Sequence, residues 1–314
     1  MSTYPTMHSR IASYLAMRRQ AGFSLHVAGE FLMLFARYVD RSGHRGPLTT
    51  ELAIRWATAL RKPNAQTSAY RMGLVRNFAR HWQLLEPATE IPPAGLFRRS
   101  RHRITPHIYT EEELCALLAA ADRMPPVGCL RAKTCATAFG LAAAAGLRIS
   151  EVVALRRTDV MLEQGLLHIR HAKFGKFRWV PIHRTTVLAL RRYARRRDED
   201  PASAGTDAFF VFDDGQPATY RRLAYAFREL RRSLQWRARG GYPMPRIHDM
   251  RHTFVCRRLE RWSQDGNDLG SNILALSTYI GHVKVSKTYW YITGTPQLLA
   301  LAAARFEHSK GDLS

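Results

Sequence analysis

The chain has 314 residues, of which 46% are hydrophobic, and this length favours two domains because single cores usually stop growing beyond about 250–300 residues. Its formal net charge is +23, from 48 Lys and Arg against 25 Asp and Glu. Such an excess repels itself in a compact fold unless a polyanion shares the surface, so nucleic acid is the indicated partner. The sequence shows no signal peptide, no apolar run of membrane-spanning length and no paired cysteine spacing. We therefore expect a soluble, cytoplasmic protein without disulfides, not a membrane protein.

The first part of the chain consists of helical patterns separated by short Gly- and Pro-containing breaks. Apolar residues recur at helical spacing over 7–20, 25–41, 49–61 and 66–84, which predicts a small helical domain over residues 1–85. The last of these helices carries three arginines among aromatic residues: Arg71, Arg76 and Arg80. They are compatible with a DNA-facing helix and equally with a solvated rim on a core helix.

Residues 86–108 contain four prolines and a cluster of arginines with little periodicity. A basic stretch of this kind is typical of a linker between domains, and Arg99 and Arg101 within it are candidate DNA contacts. The alternative is a surface loop within one domain.

The second predicted domain spans residues 109–314 and opens on a capping box formed by Thr110 and Glu113. Three short strand-like runs predict one small antiparallel sheet in an otherwise helical domain: 159–163, 166–171 and 177–182. Helical patterns surround these strands: 110–122, 131–145, 149–156, 184–197, 219–236, 249–264, 271–281, 284–292 and 296–306. The sequence thus predicts a mainly α fold with a small antiparallel β-sheet.

Two basic side chains lie where the pattern favours an anion. Arg148 follows the helix end at Gly146 and begins the next helix, where main-chain N–H groups attract anions, and Glu151 can hold its guanidinium in place. Lys173 lies at the tip of the predicted hairpin, before the turn at Gly175. Each feature alone is also typical of ordinary surface residues.

A histidine and an arginine share a helix face further along the chain. His248 and Arg251 are one turn apart, and two cationic groups so close are favoured when an anion lies between them. His248 and His252 also have the spacing of zinc ligands, so a metal site stays open.

The last motif places a histidine and two tyrosines close in sequence. Gly281 and His282 end one helix, and Tyr289 and Tyr291 lie on the next. Residues two apart on a helix point about 200° apart, so the two tyrosines cannot easily serve one site.

Six positions follow one another in a family order and with family-like spacing: Arg148, Lys173, His248, Arg251, His282 and Tyr291. On these residues the second domain resembles the tyrosine recombinase (phage integrase) family nearly end to end. The helical first domain resembles that family's core-binding domain more weakly. In the family the nucleophile follows the Gly-His histidine by nine residues, which selects Tyr291 and leaves Tyr289 and Tyr279 as structural residues.

Attack on a phosphodiester would give most of these six residues a chemical role. Arg148 and Arg251 can clamp the nonbridging oxygens of a phosphodiester and stabilise the charge that develops there. A neutral His248 can accept the phenol proton, and His282 can donate a hydrogen bond to the phosphate. Fixed cations replace a metal in this scheme, so neither metal nor nucleotide cofactor is expected.

The resemblance implies the rest of the mechanism. Tyr291 would attack a DNA phosphate to form a 3′-phosphotyrosyl link with a free 5′ hydroxyl, and Lys173 would protonate the departing 5′ oxygen. The expected function is site-specific DNA recombination of the integrase or transposase type, in a bacterial or phage setting near the nucleoid. The expected partners are double-stranded DNA and further copies of the chain, as a tetramer on DNA. Segment 296–306 is amphipathic, and either docks on its own domain or passes to a neighbouring protomer.

Three alternatives remain at this stage. A zinc hydrolase would use His248, His252 and His282, but it leaves both arginines and the net charge unexplained. A DNA-binding protein without catalysis agrees with the composition alone. A type IB topoisomerase would use the same chemistry without pairing two DNA sites. The sequence distinguishes neither the DNA target nor integration from excision, dimer resolution or transposition.

Overall fold

The computed structural model describes residues 5–59, 65–97, 104–172, 176–266 and 269–294. The chain divides by its internal contacts into two compact units, Met1–Arg103 and Ile104–Ser314. The described residues are mainly helical and include one three-stranded antiparallel sheet, which confirms the predicted fold class. Within these ranges no helix combines the length and the apolar composition needed to cross a membrane.

The described part of the first unit is built from four helices: α1 (Met7–Gln20), α2 (His26–Arg41), α3 (Thr50–Thr58) and α4 (Ala65–Trp82). Threonine hydroxyls fix two of the starts, because Thr6 and Thr49 each accept a hydrogen bond from a main-chain N–H three residues on. Fully buried side chains such as Phe35 and Phe78 fill the space between the helices. The predicted helical patterns therefore correspond to real helices.

The beginning of the predicted linker lies against this first unit. Glu86 pairs with the buried Arg10 at 2.9 Å, and Glu90 accepts a 2.7 Å hydrogen bond from the main-chain N–H of Thr50. Arg76 donates to the carbonyl of Pro92 at 2.7 Å. Residues up to this proline are thus tied to the helices, and the boundaries 86–108 of an interdomain linker stay a prediction.

The second unit contains the sheet and, among its described residues, eight α-helices. Its elements are α5 (Glu111–Asp122), α6 (Leu130–Ala145), α7 (Ile149–Val153), β1 (Val160–Met161), β2 (Leu166–Ala172), β3 (Lys176–Pro181), α8 (Arg184–Asp198), α9 (Tyr220–Ser233), α10 (Ile247–Gln264), α11 (Leu269–Ile280) and α12 (Ser286–Gly294). The predicted capping box is present, since Thr110 and Glu113 each accept from the other's main-chain N–H. Helix α10 begins two residues before its predicted start, which places His248 in its first turn.

Two hydrophobic cores stabilise this unit. The larger one joins α5 to α9 with the sheet and includes Phe139 and Phe210, both fully buried. A smaller core lies between α10, α11 and α12, and Tyr291 belongs to it. The helix that carries the predicted nucleophile is therefore packed against the helix that carries Arg251.

The β2–β3 hairpin turns an arginine towards the protein and aromatic rings towards solvent. Leu167 pairs with Val180 on the buried face, while Phe177 and Trp179 on the other face are exposed. Side chains alternate along a strand, so Arg178 lies on the same face as Val180. The tip of the hairpin, including Lys173, is outside the described residues.

Candidate active site

Arg148 occupies the start of α7, where the chain turns sharply out of α6. Gly146 closes α6 with a φ of 60°, and a Cβ at this position would clash with the ring of Phe254. The Arg148 main-chain N–H donates to the Glu151 carboxylate at 3.0 Å, and its guanidinium donates to the same carboxylate at 2.8 Å. A second guanidinium nitrogen lies 3.4 Å from the carbonyl oxygen of Gly281. These bonds fix Arg148 next to the end of α11.

Arg178 is a member of this network that the sequence did not single out. Its guanidinium donates twice to the Glu151 carboxylate, at 3.1 and 3.0 Å, and its Nε donates to the carbonyl of Tyr279 at 2.8 Å. Burial alone would raise the pKa of Glu151, but the hydrogen bonds and charges of Arg178 and Arg148 outweigh it and hold that pKa below its usual range. A buried carboxylate thus holds two arginines, and the alternation of β3 gives no signal for Arg178, because its apolar neighbours Phe177 and Trp179 are the exposed residues.

Arg251 is buried between the ends of two helices. Its guanidinium donates to the carbonyl of Gly146 at 2.7 Å and to that of Ile280 at 2.6 Å. The side chain is only 2% exposed, and the helix C-termini supply the negative ends of two dipoles. Burial, followed by the charge of Arg148, lowers the pKa of Arg251 to about 10, so it stays a cation at neutral pH.

The two arginines of the predicted clamp therefore meet at one place. Arg251 and Arg148 donate to the consecutive carbonyls of Ile280 and Gly281. The two bonds to helix ends use two of the five N–H donors of Arg251. This arrangement concentrates positive charge at the end of α11, immediately before His282.

Tyr291 lies among imidazole rings. Its hydroxyl is 2.7 Å from Nδ1 of His252, and the side chain is 3% exposed. The His252 ring contacts that of His248 edge-on, with centroids 4.8 Å apart. The His282 ring is nearly parallel to the Tyr291 ring, with centroids 6.5 Å apart. His252, which the sequence did not assign as the proton acceptor, thus lies within hydrogen-bond distance of the Tyr291 hydroxyl.

Both histidines of α10 are neutral at neutral pH. Burial, then the charges of His248 and Arg246, lowers the pKa of His252 to about 3. His248 reaches the surface, yet the protein around its ring and the neighbouring Arg251 also lower its pKa. Each ring can therefore accept a hydrogen bond at one nitrogen and donate from the other.

Helix α12 separates its two tyrosines, as the helical spacing requires. Tyr289 is 48% exposed, whereas Tyr291 is buried. Tyr289, which the resemblance leaves as a structural residue, thus lies on the surface and not in the core. Tyr279 does pack, because its ring stacks on Phe254 with centroids 5.7 Å apart. His282 is tied to α12 through Thr288, whose hydroxyl lies 2.9 Å from its Nδ1.

The structure thus brings most of the predicted site residues together in the second unit: Arg148, Glu151, His248, Arg251, His282 and Tyr291. Their catalytic roles stay predictions. Lys173 lies outside the described residues, as do the candidate DNA contacts Arg99 and Arg101.

The arginines of α4 differ from one another in their surroundings. Arg71 donates to the carbonyls of Trp56 and Ala59, and Arg76 donates to two proline carbonyls. Arg80 is exposed. Two of the three candidates therefore hold the main chain of the first unit, and contact with DNA stays a prediction for all three.

The zinc alternative requires three converging ligands. No group of three or more His, Cys, Asp or Glu side chains with metal-binding geometry occurs among the residues that the structure describes. His252 instead turns its Nδ1 to a tyrosine hydroxyl.

Comparison with known proteins agrees with the site. Residues 108–297 match the model of the phage integrase family. The chain is 37% identical to y4rB of Sinorhizobium fredii, a protein named as an integrase/recombinase, over 96% of this chain and 97% of that protein. It is 32% identical to tyrosine recombinase XerC of Chromobacterium violaceum, over 90% of this chain and 88% of that protein. A solved lambda integrase tetramer bound to a Holliday junction has a similar fold, with a TM-score of 0.65 at 15% identity over 91% of this chain and 78% of that chain. The chain therefore belongs to the phage integrase family and is a tyrosine recombinase.

Proposed function

We propose that the protein cleaves and rejoins double-stranded DNA at specific sites through a phosphotyrosyl intermediate on Tyr291. One observation supports this most directly: Arg148 and Arg251 converge on the end of α11, and Tyr291 lies near enough to Arg251 for its phenol to act on the pKa of that arginine. Two cations beside a hydroxyl nucleophile are what in-line attack on a phosphodiester requires, because negative charge grows on the nonbridging oxygens.

The cleavage step replaces one phosphodiester bond by another. The Tyr291 oxygen forms a bond to phosphorus while the bond from phosphorus to the 5′ oxygen breaks. The phenol proton passes to a histidine of α10, for which His248 was the sequence-based assignment, and the 5′ oxygen takes a proton for which Lys173 is the proposed donor. Attack by the 5′ hydroxyl of another strand then releases Tyr291 without ATP. Arg148 and Arg251 neutralise the charge in both directions.

Covalent trapping tests this proposal. Wild type and Tyr291→Phe would be expressed in a bacterial host, denatured rapidly in SDS and washed stringently before the retained DNA is sequenced. We expect DNA to be retained by the wild type alone, and the recovered sequence supplies the target site. DNA retained equally by both proteins would move the nucleophile elsewhere, first to Tyr289.

Assembly on DNA is a separate proposal. We propose that recombination uses a tetramer, because two DNA sites with four exchanging strands require four nucleophiles. The similar fold of the lambda integrase tetramer on a Holliday junction supports this. Segment 296–306 lies outside the described residues, and its exchange between protomers stays a prediction. A chain ending at Thr295 should cleave the recovered site but no longer form tetramers on it in analytical ultracentrifugation; unchanged assembly would refute the exchange.

A further inference from the structure

The position of His252 raises a question that the family order of residues does not answer. It follows Arg251 directly on α10, and neighbouring residues on a helix point about 100° apart. Arg251 therefore faces the helix ends at Gly146 and Ile280, while His252 faces α12. The same helical turn thus carries one group directed at the main chain and one directed at the Tyr291 hydroxyl.

The contact between His252 and Tyr291 joins a ring nitrogen to a hydroxyl, and its polarity follows from the imidazole tautomer. Their Nδ1 and hydroxyl oxygen are 2.7 Å apart, within normal hydrogen-bond distance. Because His252 is neutral, only one of its ring nitrogens carries a proton; in the tautomer protonated on Nε2, Nδ1 accepts and the phenol donates. In that tautomer the hydroxyl proton points to the imidazole, and the bond uses the proton of the phenol and not the lone pairs of its oxygen.

The surroundings disfavour His252 as the final holder of that proton. Its pKa is lowered by burial first and then by the charges of His248, Arg246, Arg251 and His282. A protonated His252 would be buried, and the neighbouring cations would repel it. His248 reaches the surface, where a proton can pass to solvent. A hydrogen-bond acceptor that does not ionise is therefore the role that this site fits before the reaction, and the phenol proton leaves it for His248 when the bond from the Tyr291 oxygen to phosphorus forms.

We propose that His252 is a positioning residue: its Nδ1 holds the Tyr291 hydroxyl so that the oxygen is aligned before DNA arrives. This inference rests on the proposed function, because it takes Tyr291 as the nucleophile. It adds a residue outside the six family positions. The role of this residue is to align the nucleophile, whereas other residues remove the proton and neutralise the charge.

Substitutions at position 252 separate these roles. Asn places its side-chain oxygen near the position of Nδ1 and can accept a hydrogen bond but not a proton. Phe keeps the ring volume and removes the acceptor. The measurement is single-turnover formation of the covalent complex on a nicked oligonucleotide that carries the recovered target site.

We expect His252→Phe to slow covalent complex formation about a hundredfold, the typical cost of a misaligned reacting group. His252→Asn should recover most of that rate. An Asn variant as slow as the Phe variant would overturn the proposal, because it would show that position 252 must take a proton. A Phe variant as fast as the wild type would also overturn it.

Two controls keep the result interpretable. His183→Asn makes the same chemical change at an exposed helix start where Asn is also a good cap, so it should leave the rate unchanged. Thermal unfolding of each variant reports folding; if the Phe variant does not fold, His252→Gln replaces it. Its acceptor lies one bond further out, so we expect it to be slower than Asn, and equal rates would count against the proposal.

A modified substrate tests which oxygen His252 serves. Replacing the bridging 5′ oxygen by sulfur gives a leaving group that departs without protonation. The slow rate of His252→Phe should persist on this substrate, since alignment of the nucleophile is still lacking. Recovery of the rate would place His252 on the leaving-group side and overturn the proposal. If Tyr291→Phe also traps DNA, the proposed function itself fails, whatever the result at position 252.

Discussion

Arginines in both units donate to main-chain carbonyls, yet only in the second unit do they form a candidate catalytic site. In the first unit Arg76 donates to the carbonyls of Pro92 and Pro93, much as Arg251 donates to those of Gly146 and Ile280. Bonding of this kind therefore does not identify a phosphate clamp. If hydrogen bonds from arginine to main-chain carbonyls were the criterion, both units would be assigned a phosphate clamp.

The difference lies in what surrounds each guanidinium. Arg71 of the first unit lies over the Trp56 ring, 4.8 Å from its centroid, and donates to main-chain carbonyls. Its contacts are therefore those of a structural residue. Arg251 and Arg148 instead share one helix end, and Arg251 lies near enough to Tyr291 for the phenol to act on its pKa. A second cation and a nucleophile at the same place are what turn a structural arginine into a catalytic candidate.

The largest expected effect is at Arg251. Arg251→Ala should slow covalent cleavage by about a thousandfold, because it removes a donor that stabilises charge on the phosphate. It should also lower the unfolding temperature, since two buried carbonyls lose a partner. The measurement is single-turnover cleavage at saturating enzyme.

A matched control at Arg197 separates the two effects. Arg197 is 4% exposed, donates to the carbonyl of Phe209 and has no proposed role in catalysis. Arg197→Ala should lose stability and keep its cleavage rate. If Arg251→Ala behaves in the same way, the distinction between structural and catalytic arginines fails.

Next in size is the effect of Glu151→Gln on stability. The carboxylate pairs with Arg178 and Arg148 while buried, and removing one charge from such a pair costs roughly 3 kcal/mol. The pKa of Glu151 is lowered in the folded protein from 4.5, so its stabilisation is present above that pH and is lost as pH falls through the folded value. Urea unfolding of both proteins from pH 7 to pH 3 should show their difference shrinking in acid. A pH-independent difference would contradict the charge-based account.

A smaller effect is expected for DNA binding by the first unit. Arg80 is exposed and Arg71 is committed to the main chain. If Arg80 contacts a phosphate, Arg80→Ala should reduce the slope of log affinity against log salt by about one. Arg71→Ala should instead lower the free energy of unfolding by about 1 kcal/mol. Fluorescence anisotropy on duplex DNA across salt concentrations measures the salt slope. A reduced slope for Arg71→Ala with an unchanged slope for Arg80→Ala would make Arg71 the DNA contact.

The smallest expected effect is that of metal removal. Cleavage after dialysis against EDTA should stay within about twofold of the untreated rate, because fixed arginines perform the charge stabilisation that a metal would otherwise supply. Loss of activity that zinc restores would revive the hydrolase alternative at His248, His252 and His282.

The sequence alone determined the helices, the small sheet and the order of the chemical motifs. Periodicity sets which residues of a helix share a face, so the pairing of His248 with His252 and the divergence of Tyr289 from Tyr291 followed from spacing. The capping box at Thr110 was equally local. Net charge indicated the polyanionic partner because it depends on composition and not on packing.

Tertiary structure decided which groups meet. His252 and Tyr291 are 39 residues apart, and their contact exists only because α10 packs against α12 around a shared core. Arg178 reaches Glu151 because β3 exposes Phe177 and Trp179 and turns the residue between them towards the protein. The usual pattern of a strand is the opposite, with apolar side chains inside and charged ones outside. Local spacing fixes directions within one element, whereas the partner of each side chain depends on how separate elements pack, and no local pattern encodes that.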